Sequence, residues 1–301
     1  MKYKLILIRY GEIALKAKYT RTHFENILVS NIKTALDAEK IIYKIRKEWG
    51  RIYLYTNEIN KSIISLKKIF GITSFSQALE LISKIKDISD YSIKISKEFL
   101  TKEKKFALRV FRTGNHNFNS KDIAIRVGND IGKITQAKVD LNKPDFKLFI
   151  EIRNQKTYLY KEKIRGIGGM PQGTQGKVLA VINSLDSILA SWYLLRRGCK
   201  VTFINIKKSY IKILENFISE WYLKSKIINL EIKSDLFNIL NDKLYDEKYD
   251  AIVVGNYIGK NVSDSIFDIY ELKKNVNNLV LHPLIALDKD EIIKRSKKIG
   301  I

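Results

Sequence analysis

The sequence predicts two structural classes in one chain: α+β architecture in the first part and an open parallel α/β domain in the last. Three observations predict this. The chain has 301 residues, enough for two or three domains at about 100–200 residues each. Its first elements read β-α-β-β-α. After Lys177, apolar strands alternate with helices, the signature of a parallel sheet.

Lys4–Tyr10 is a β-type run. In Tyr19–Leu36, Phe24, Ile27, Leu28, Ile32 and Leu36 recur at helical spacing. Ile41–Ile45 and Arg51–Tyr55 are expected to pair around Lys47-Glu48-Trp49-Gly50. Asn60–Phe70 reads as a helix ending at Gly71, a natural C-cap. This order suits a small ferredoxin-like unit. A second unit follows: helix Ile88–Thr101, strand Lys105–Val110, helix Ser120–Ile134, and strands Phe146–Arg153 and Thr157–Lys163. The glycine and proline cluster Gly166–Gly173 reads as a linker. Beyond it, Lys177–Ile182 is a continuous apolar strand suited to burial on both faces. Helix Ser187–Arg197, strand Lys200–Ile206, helix Tyr210–Trp221, strand Ile227–Ile232, helix Leu236–Leu244 and strand Ala251–Val254 complete the pattern.

Lys and Arg number 55 against 32 Asp and Glu, a net charge of +23. The excess lies mostly in residues 1–172, with 35 basic and 17 acidic residues. Such a field attracts polyanions and favours a nucleic-acid partner. Solubility, or a lysine- and isoleucine-rich composition, is the alternative source of the bias. No apolar run approaches the roughly 18 residues of a membrane span, and the N-terminal run is interrupted by Arg9, unlike a signal peptide. A cytoplasmic protein is expected. Cys199, the single cysteine, excludes a disulfide framework and any multi-cysteine zinc or iron–sulfur site. It reads as a buried small hydrophobe at a strand start.

Two constellations carry chemistry. Arg112-Thr113-Gly114-Asn115-His116-Asn117-Phe118 lies between a strand and a helix. Arg112 suits a phosphate, Gly114 permits close backbone approach, and the helix N-terminus favours anions. Lys105, Arg109, Lys121 and Arg126 flank it. Phe118 either stacks on a base or anchors the loop in the core. The second runs from Val178 through Asn183-Ser184-Leu185-Asp186-Ser187, a strand entering a short polar turn that opens a helix. There backbone N–H groups can hold phosphate, and Asp186 can accompany a metal ion. Read alone, its Ser, Asp and Asn are ordinary N-caps.

The chain resembles the tRNA 4-thiouridine synthetases, the tRNA sulfurtransferase family. The resemblance is carried by Arg9-Tyr10-Gly11-Glu12-Ile13-Ala14-Leu15-Lys16, Phe70-Gly71-Ile72-Thr73-Ser74-Phe75-Ser76, Arg112–His116, Val139-Asp140-Leu141 with Pro144-Asp145, Gly166-Ile167-Gly168-Gly169 with Pro171 and Gly173, and Pro283-Leu284-Ile285 with Asp288-Lys289 and Glu291-Ile292-Ile293. It implies a ferredoxin-like domain (1–74), a THUMP RNA-binding domain (75–164), a linker (165–176) and a PP-loop, adenine nucleotide α-hydrolase-like domain (177–301). It implies that the front domains bind tRNA on its acceptor-stem side, by shape and backbone. Lys16, Arg21, Arg109, Arg112, Thr113, Gly114, Asn115, His116 and Lys121 are the expected RNA-binding residues. It further implies a homodimer, and a reaction in which ATP with Mg²⁺ adenylates a uridine oxygen before a persulfide sulfur displaces AMP. Asn183, Ser184, Asp186, Ser187 and Gly255 are the expected nucleotide-binding residues.

The sequence departs from the family at the chemistry. The family loop reads Ser-Gly-Gly-x-Asp-Ser; Asn183–Ser187 lacks both glycines and is one residue short. Asp186 is the retained catalytic candidate. Asp235–Tyr249, where the family carries a cysteine, has none, and Gly255-Asn256-Tyr257-Ile258-Gly259 with Ser263 lacks the acidic residue after its first glycine. The expected protein therefore binds tRNA through its front domains and carries a catalytically degenerate PP-loop domain. The alternative is active thiolation with an external sulfur donor or partner protein. A third reading is a distinct adenylating or hydrolytic enzyme.

Overall fold

The computed structural model describes residues 4–230, 240–243, 248–259, 274–276 and 278–301. Its first elements are β1 (Leu5–Tyr10), a 3₁₀ turn (Glu12–Leu15), α1 (Lys18–Ala38), β2 (Tyr43–Glu48), β3 (Arg51–Thr56), α2 (Ile59–Leu66) and β4 (Ile72–Ile82). β2 and β3 pair antiparallel around Trp49-Gly50, where Gly50 takes a positive φ. The helix expected to reach Phe70 ends at Leu66. Tertiary packing overrides the helical spacing here: Phe70 stacks on Trp221 at 5.4 Å and meets Trp192 edge-on at 5.8 Å. β4, eleven residues long, was not expected as a strand; it completes the β-α-β-β-α-β order.

Next come α3 (Ile85–Lys97), β5 (Lys105–Thr113), α4 (Ser120–Thr135), β6 (Lys138–Val139), β7 (Phe146–Arg153), β8 (Lys156–Tyr160) and β9 (Ile164–Arg165). The strands form one sheet in the order β2-β3-β1-β4-β8-β7-β5-β6, with β9 on β4. β5 runs three residues past its expected end because Phe111, Arg112 and Thr113 pair in parallel with Glu151, Ile152 and Arg153. One sheet face packs with α3 and α4 through Ile88, Ile95, Phe106, Ile123, Val127, Leu148, Ile150 and Leu159. On the other face Leu5, Leu7, Tyr53, Ala78, Tyr158 and Tyr160 form a cluster that contains no helical residue.

The last part holds β10 (Lys177–Ile182), α5 (Leu185–Arg196), β11 (Lys200–Asn205), α6 (Ile211–Glu220), β12 (Ile227–Asn229), β13 (Ala251–Val253), β14 (Leu279–Leu281) and α7 (Lys289–Lys298). All its strand pairs are parallel, in the order β12-β11-β10-β13-β14. β10 is buried on both faces, as its unbroken apolar run requires. Val178, Ala180 and Ile182 join α5 and α6 residues in one core cluster, and Leu179 and Val181 join Ile204 and Ile252 in another. β14 and α7 were not expected. Of the expected Leu236–Leu244 helix, residues 240–243 are described and helical; the rest, like Ser263, lies outside the described residues.

The chain divides into two compact units. One comprises Met1–Arg9, Lys40–Ile63 and Ser74–Arg165; the other comprises Tyr10–Glu39, Ile64–Thr73 and Gly166–Ile301. Among the described residues no helix is long and apolar enough to cross a membrane.

In the first unit a buried carboxylate joins three strands. Glu151 of β7, 3% exposed, takes Arg51 Nε of β3 at 2.7 Å, Arg9 Nη2 of β1 at 3.5 Å and Arg153 Nη1 at 3.5 Å. Burial alone would raise its pKa, but Arg51, Arg9 and Arg153 hold it below the usual range. Removing one side of a buried ion pair strands the opposite charge. Glu151→Ala is therefore expected to cost about 3–5 kcal/mol in urea unfolding. Because the carboxyl is depressed, its contribution is complete above the ordinary glutamate pKa and is lost as pH falls through the folded value. An acid-unfolding profile unchanged by Glu151→Gln would disprove this.

Candidate functional site

The β5–α4 junction is built from the strand outward. Arg112 and Thr113 are not loop residues, as expected, but the end of β5. Gly114 follows with φ +103°, and a Cβ there would lie 2.3 Å from Asn154 Oδ1. Only a residue without a Cβ makes this turn against the β7–β8 connection. Arg112 Nη1 donates to the Gly114 carbonyl at 2.9 Å and lies 3.3 Å from His116 Nδ1. His116 Nε2 sits 2.7 Å from the Asn154 carbonyl. A carbonyl only accepts, so Nε2 carries the proton and Nδ1 accepts from Arg112. His116 thus holds Arg112 in place.

Phe118 is half-buried, packs against the α3–α4 core and lies 5.1 Å from the His116 ring, so it anchors the loop. Asn119 caps α4, accepting from the N–H groups of Lys121 and Asp122, while Asp122 accepts from the Asn119 N–H. This capping box fixes the helix start; Lys121 in its first turn and Asn115 before it are exposed.

Neighbouring cations are partly committed. Arg109 Nη2 donates to the Leu141 carbonyl at 2.6 Å, and Lys105 pairs with Asp140 at 3.1 Å. Asp140 is pulled down to about 2 by the Lys143 N–H, Lys105 and the Asn142 N–H. Sequence reasoning missed Asn154, whose carbonyl and side chain shape the turn; no spacing rule links it to Gly114, 40 positions earlier. The structure gathers Arg109, Arg112, Thr113, Gly114, Asn115, His116 and Lys121 in the first unit. Lys16 and Arg21 belong to the second. There Lys16 lines a 260 Å³ cleft with Glu12, Met170, Gln175, Arg197 and Cys199, in which Arg197 pairs bidentately with Glu12 at 2.9 and 3.0 Å.

The second constellation lies at the carboxyl end of β10. Strand order turns there, with β11 on one side and β13 on the other, the place where α/β sheets bind ligands. Asn183 and Ser184 alone separate β10 from α5. Ser184 occupies the N-cap position but makes no side-chain cap bond, which corrects the capping expectation. The polar side chains bond one another instead. Ser187 Oγ donates to Asn183 Oδ1 at 2.8 Å, and the Ser184 and Ser187 hydroxyls are 3.3 Å apart. Leu185 is 40% exposed and does not fill the turn.

Gly255, just after β13, is brought against this turn. A Cβ there would lie 2.4 Å from the Ser187 nitrogen and 2.7 Å from the Asp186 carbonyl carbon. No residue from Lys177 to Arg197 has a positive φ. Anion-wrapping backbone nests alternate right- and left-handed residues, and this turn contains no left-handed residue. Cys199 is 8% exposed, and burial pushes its thiol pKa up. It precedes Lys200, which pairs with Lys177 at the amino end of the sheet. That is about 17 Å of strand from the Asn183 turn, too far for its sulfur to act there.

Three family models match the chain: ThiI ferredoxin-like domain over residues 5–76, THUMP domain over 83–162, and Thiamine biosynthesis protein (ThiI) over 208–301. These define its class, a ThiI-type protein of ferredoxin-like, THUMP and parallel-sheet parts. The probable tRNA sulfurtransferase of Methanobrevibacter smithii is 31% identical over 339 residues, spanning 100% of this chain and 87% of that protein. That of Methanothermobacter thermautotrophicus is 32% identical, spanning 100% and 85%. The chain belongs to the tRNA sulfurtransferase family. PH1313 from Pyrococcus horikoshii Ot3 matches with TM-score 0.85 and 30% identity over 99% of this chain and 100% of that one. A 4-thiouridine synthetase, crystallised as an RNA complex with bound ATP, shares the fold with TM-score 0.84 and 24% identity over 99% and 85%.

Gly114→Ala combines a positive φ with a clash and is expected to cost about 1–3 kcal/mol. Gly255→Ala must displace backbone, and a comparable loss is expected. Thermal unfolding of both variants tests this; melting points equal to the parent's would contradict the close approaches.

Proposed function

We propose that this chain is a cytoplasmic tRNA-binding member of its family whose PP-loop-like domain does not itself carry out thiolation. Its working parts are a ferredoxin-like domain (1–74), a THUMP domain (75–164), a linker (165–176) and the PP-loop-like domain (177–301). The reading draws on the tRNA sulfurtransferases the chain resembles, on the positive charge concentrated in residues 1–172, and on the ordered Arg112–His116 junction. Arg112 is held by His116 at the exposed end of β5, ahead of α4. It serves as an RNA phosphate contact, with Lys121 in the first turn of α4.

The observation that carries the non-catalytic part is the two-residue turn Asn183–Ser184. With no left-handed residue and with Gly255 pressed on Ser187, it offers no curve for a triphosphate. Cys199 is too remote to supply sulfur.

A second reading has one observation in its favour. The first turn of α5, with Asp186 in it, is not covered by Leu185. ATP and Mg²⁺ held there, sulfur from an external donor or partner protein, and a homodimer would restore activity.

Titration calorimetry with ATP and Mg²⁺ is expected to give no saturable heat, and tRNA from a deletion strain to keep its 4-thiouridine by mass spectrometry. Saturable ATP binding abolished by Asp186→Ala, or loss of the modification, favours the second reading. For RNA, Arg112→Ala and Lys121→Ala are each expected to weaken tRNA binding and lower its salt slope by about one. An unaltered slope in both removes this surface from the interface.

A further inference from the structure

The sheet face of the first unit that faces away from α3 and α4 carries a charge surplus that the fold does not need. Alternation along β1, β3, β5 and β7 sends Arg9, Arg51, Phe111, Phe149, Glu151 and Arg153 to this one face. Phe111 pairs with Glu151 across β5–β7, and Phe149 with Tyr160 across β7–β8. Lys163 joins them from the segment after β8, with Nζ 5.0 Å from the ring centres of both Phe111 and Phe149. Four cations therefore gather around Glu151; on the same face Glu48, opposite Arg51, accepts from Tyr53 and pairs with Arg46, and Glu80 pairs with Arg46 and Lys156.

One arginine suffices to neutralise a buried glutamate. Glu48 and Glu80 are met by Arg46 and Lys156, so the further positive charges around Glu151 repel one another and favour an entering anion. Burial, then Arg9 and Arg51, lower the Lys163 pKa against the raising pull of Glu151. Its ammonium lies over two rings and not on a carboxylate, and Phe111 beneath it is 48% exposed.

The arginines are fixed in place. Arg51 donates to the Gly50 carbonyl and Arg153 to the Trp49 carbonyl, each at 2.6 Å, and Arg9 Nη1 donates to Ser76 Oγ at 3.0 Å. They supply a preorganised field, and Lys163 is the exposed donor at its rim.

We propose that Lys163, backed by Arg9, Arg51 and Arg153 around Glu151, is a second RNA-phosphate contact, separate from the Arg112 junction. The proposal rests on the tRNA-binding reading above and adds to it a site built from both the β1–β3 and the β5–β8 strands. An ammonium over aromatic rings beside fixed guanidinium groups suits a phosphodiester, which brings the missing negative charge and needs no specific base. An acidic peptide is the competing ligand.

Binding of unmodified tRNA is measured by fluorescence anisotropy across a salt series. Lys163→Met keeps the apolar stem over the rings and removes the charge. It is expected to weaken binding about tenfold near 0.1 M salt and to lower the salt slope by about one. Lys163→Arg restores both. Lys94→Met, the same charge change on exposed α3, is expected to leave the slope unaltered.

If Lys163→Met matches Lys94→Met while Arg112→Ala still lowers the slope, the second contact is wrong and the tRNA-binding reading stands. If the parent protein fails to bind tRNA, both fall. If Lys163→Met weakens binding of a polyglutamate peptide and leaves tRNA binding unchanged, the site belongs to an acidic protein and the proposal is overturned.

Discussion

A single buried carboxylate holds the first unit together. Glu151 sits between Ile150 and Ile152 on β7 and takes arginines from β1, β3 and its own β7. A charge in that position is tolerable only because guanidinium groups reach it from several strands. The same arginines then fix the Trp49–Gly50 turn through its carbonyls. The electrostatic requirement of one side chain thus sets both the joining of two β regions and the positive potential of the face they share.

The second unit obeys a different constraint, the room available to backbone. β10 is buried on both faces and leads straight into α5 through two residues. Gly255 approaches so closely that even a methyl group has no space. The parallel sheet therefore passes from β10 into α5 through a short strand-to-helix junction packed against Gly255.

Much of this was legible from residue order. The apolar run Lys177–Ile182, the Ser120 start of α4 and the glycine-rich segment before β10 are local patterns, and local patterns survive in the fold. Arg112, Gly114 and His116 could be singled out because strand end, glycine and helix start are contiguous. What failed was decided by distant partners. The helix after Asn60 stops at Leu66 because Phe70 is claimed by Trp192 and Trp221, more than a hundred positions away. Ser184 looks like a cap, yet Ser187 turns to Asn183 and the cap bond is never made. Asn154 and Lys163 acquire their roles only through strand pairing.

By itself, the sequence determined the succession of α+β and parallel α/β parts, the basic front half, the lack of glycine in Asn183–Ser187 and the lack of cysteine in Asp235–Tyr249. Only the tertiary structure decided that Gly255 closes on Ser187, that Cys199 lies at the opposite end of its sheet from that turn, and that four cations meet around Glu151. The reason is physical. Composition and periodicity report what a residue prefers within a few neighbours. A close backbone approach or a shared charge depends on chain segments that the sequence separates and the sheet brings together.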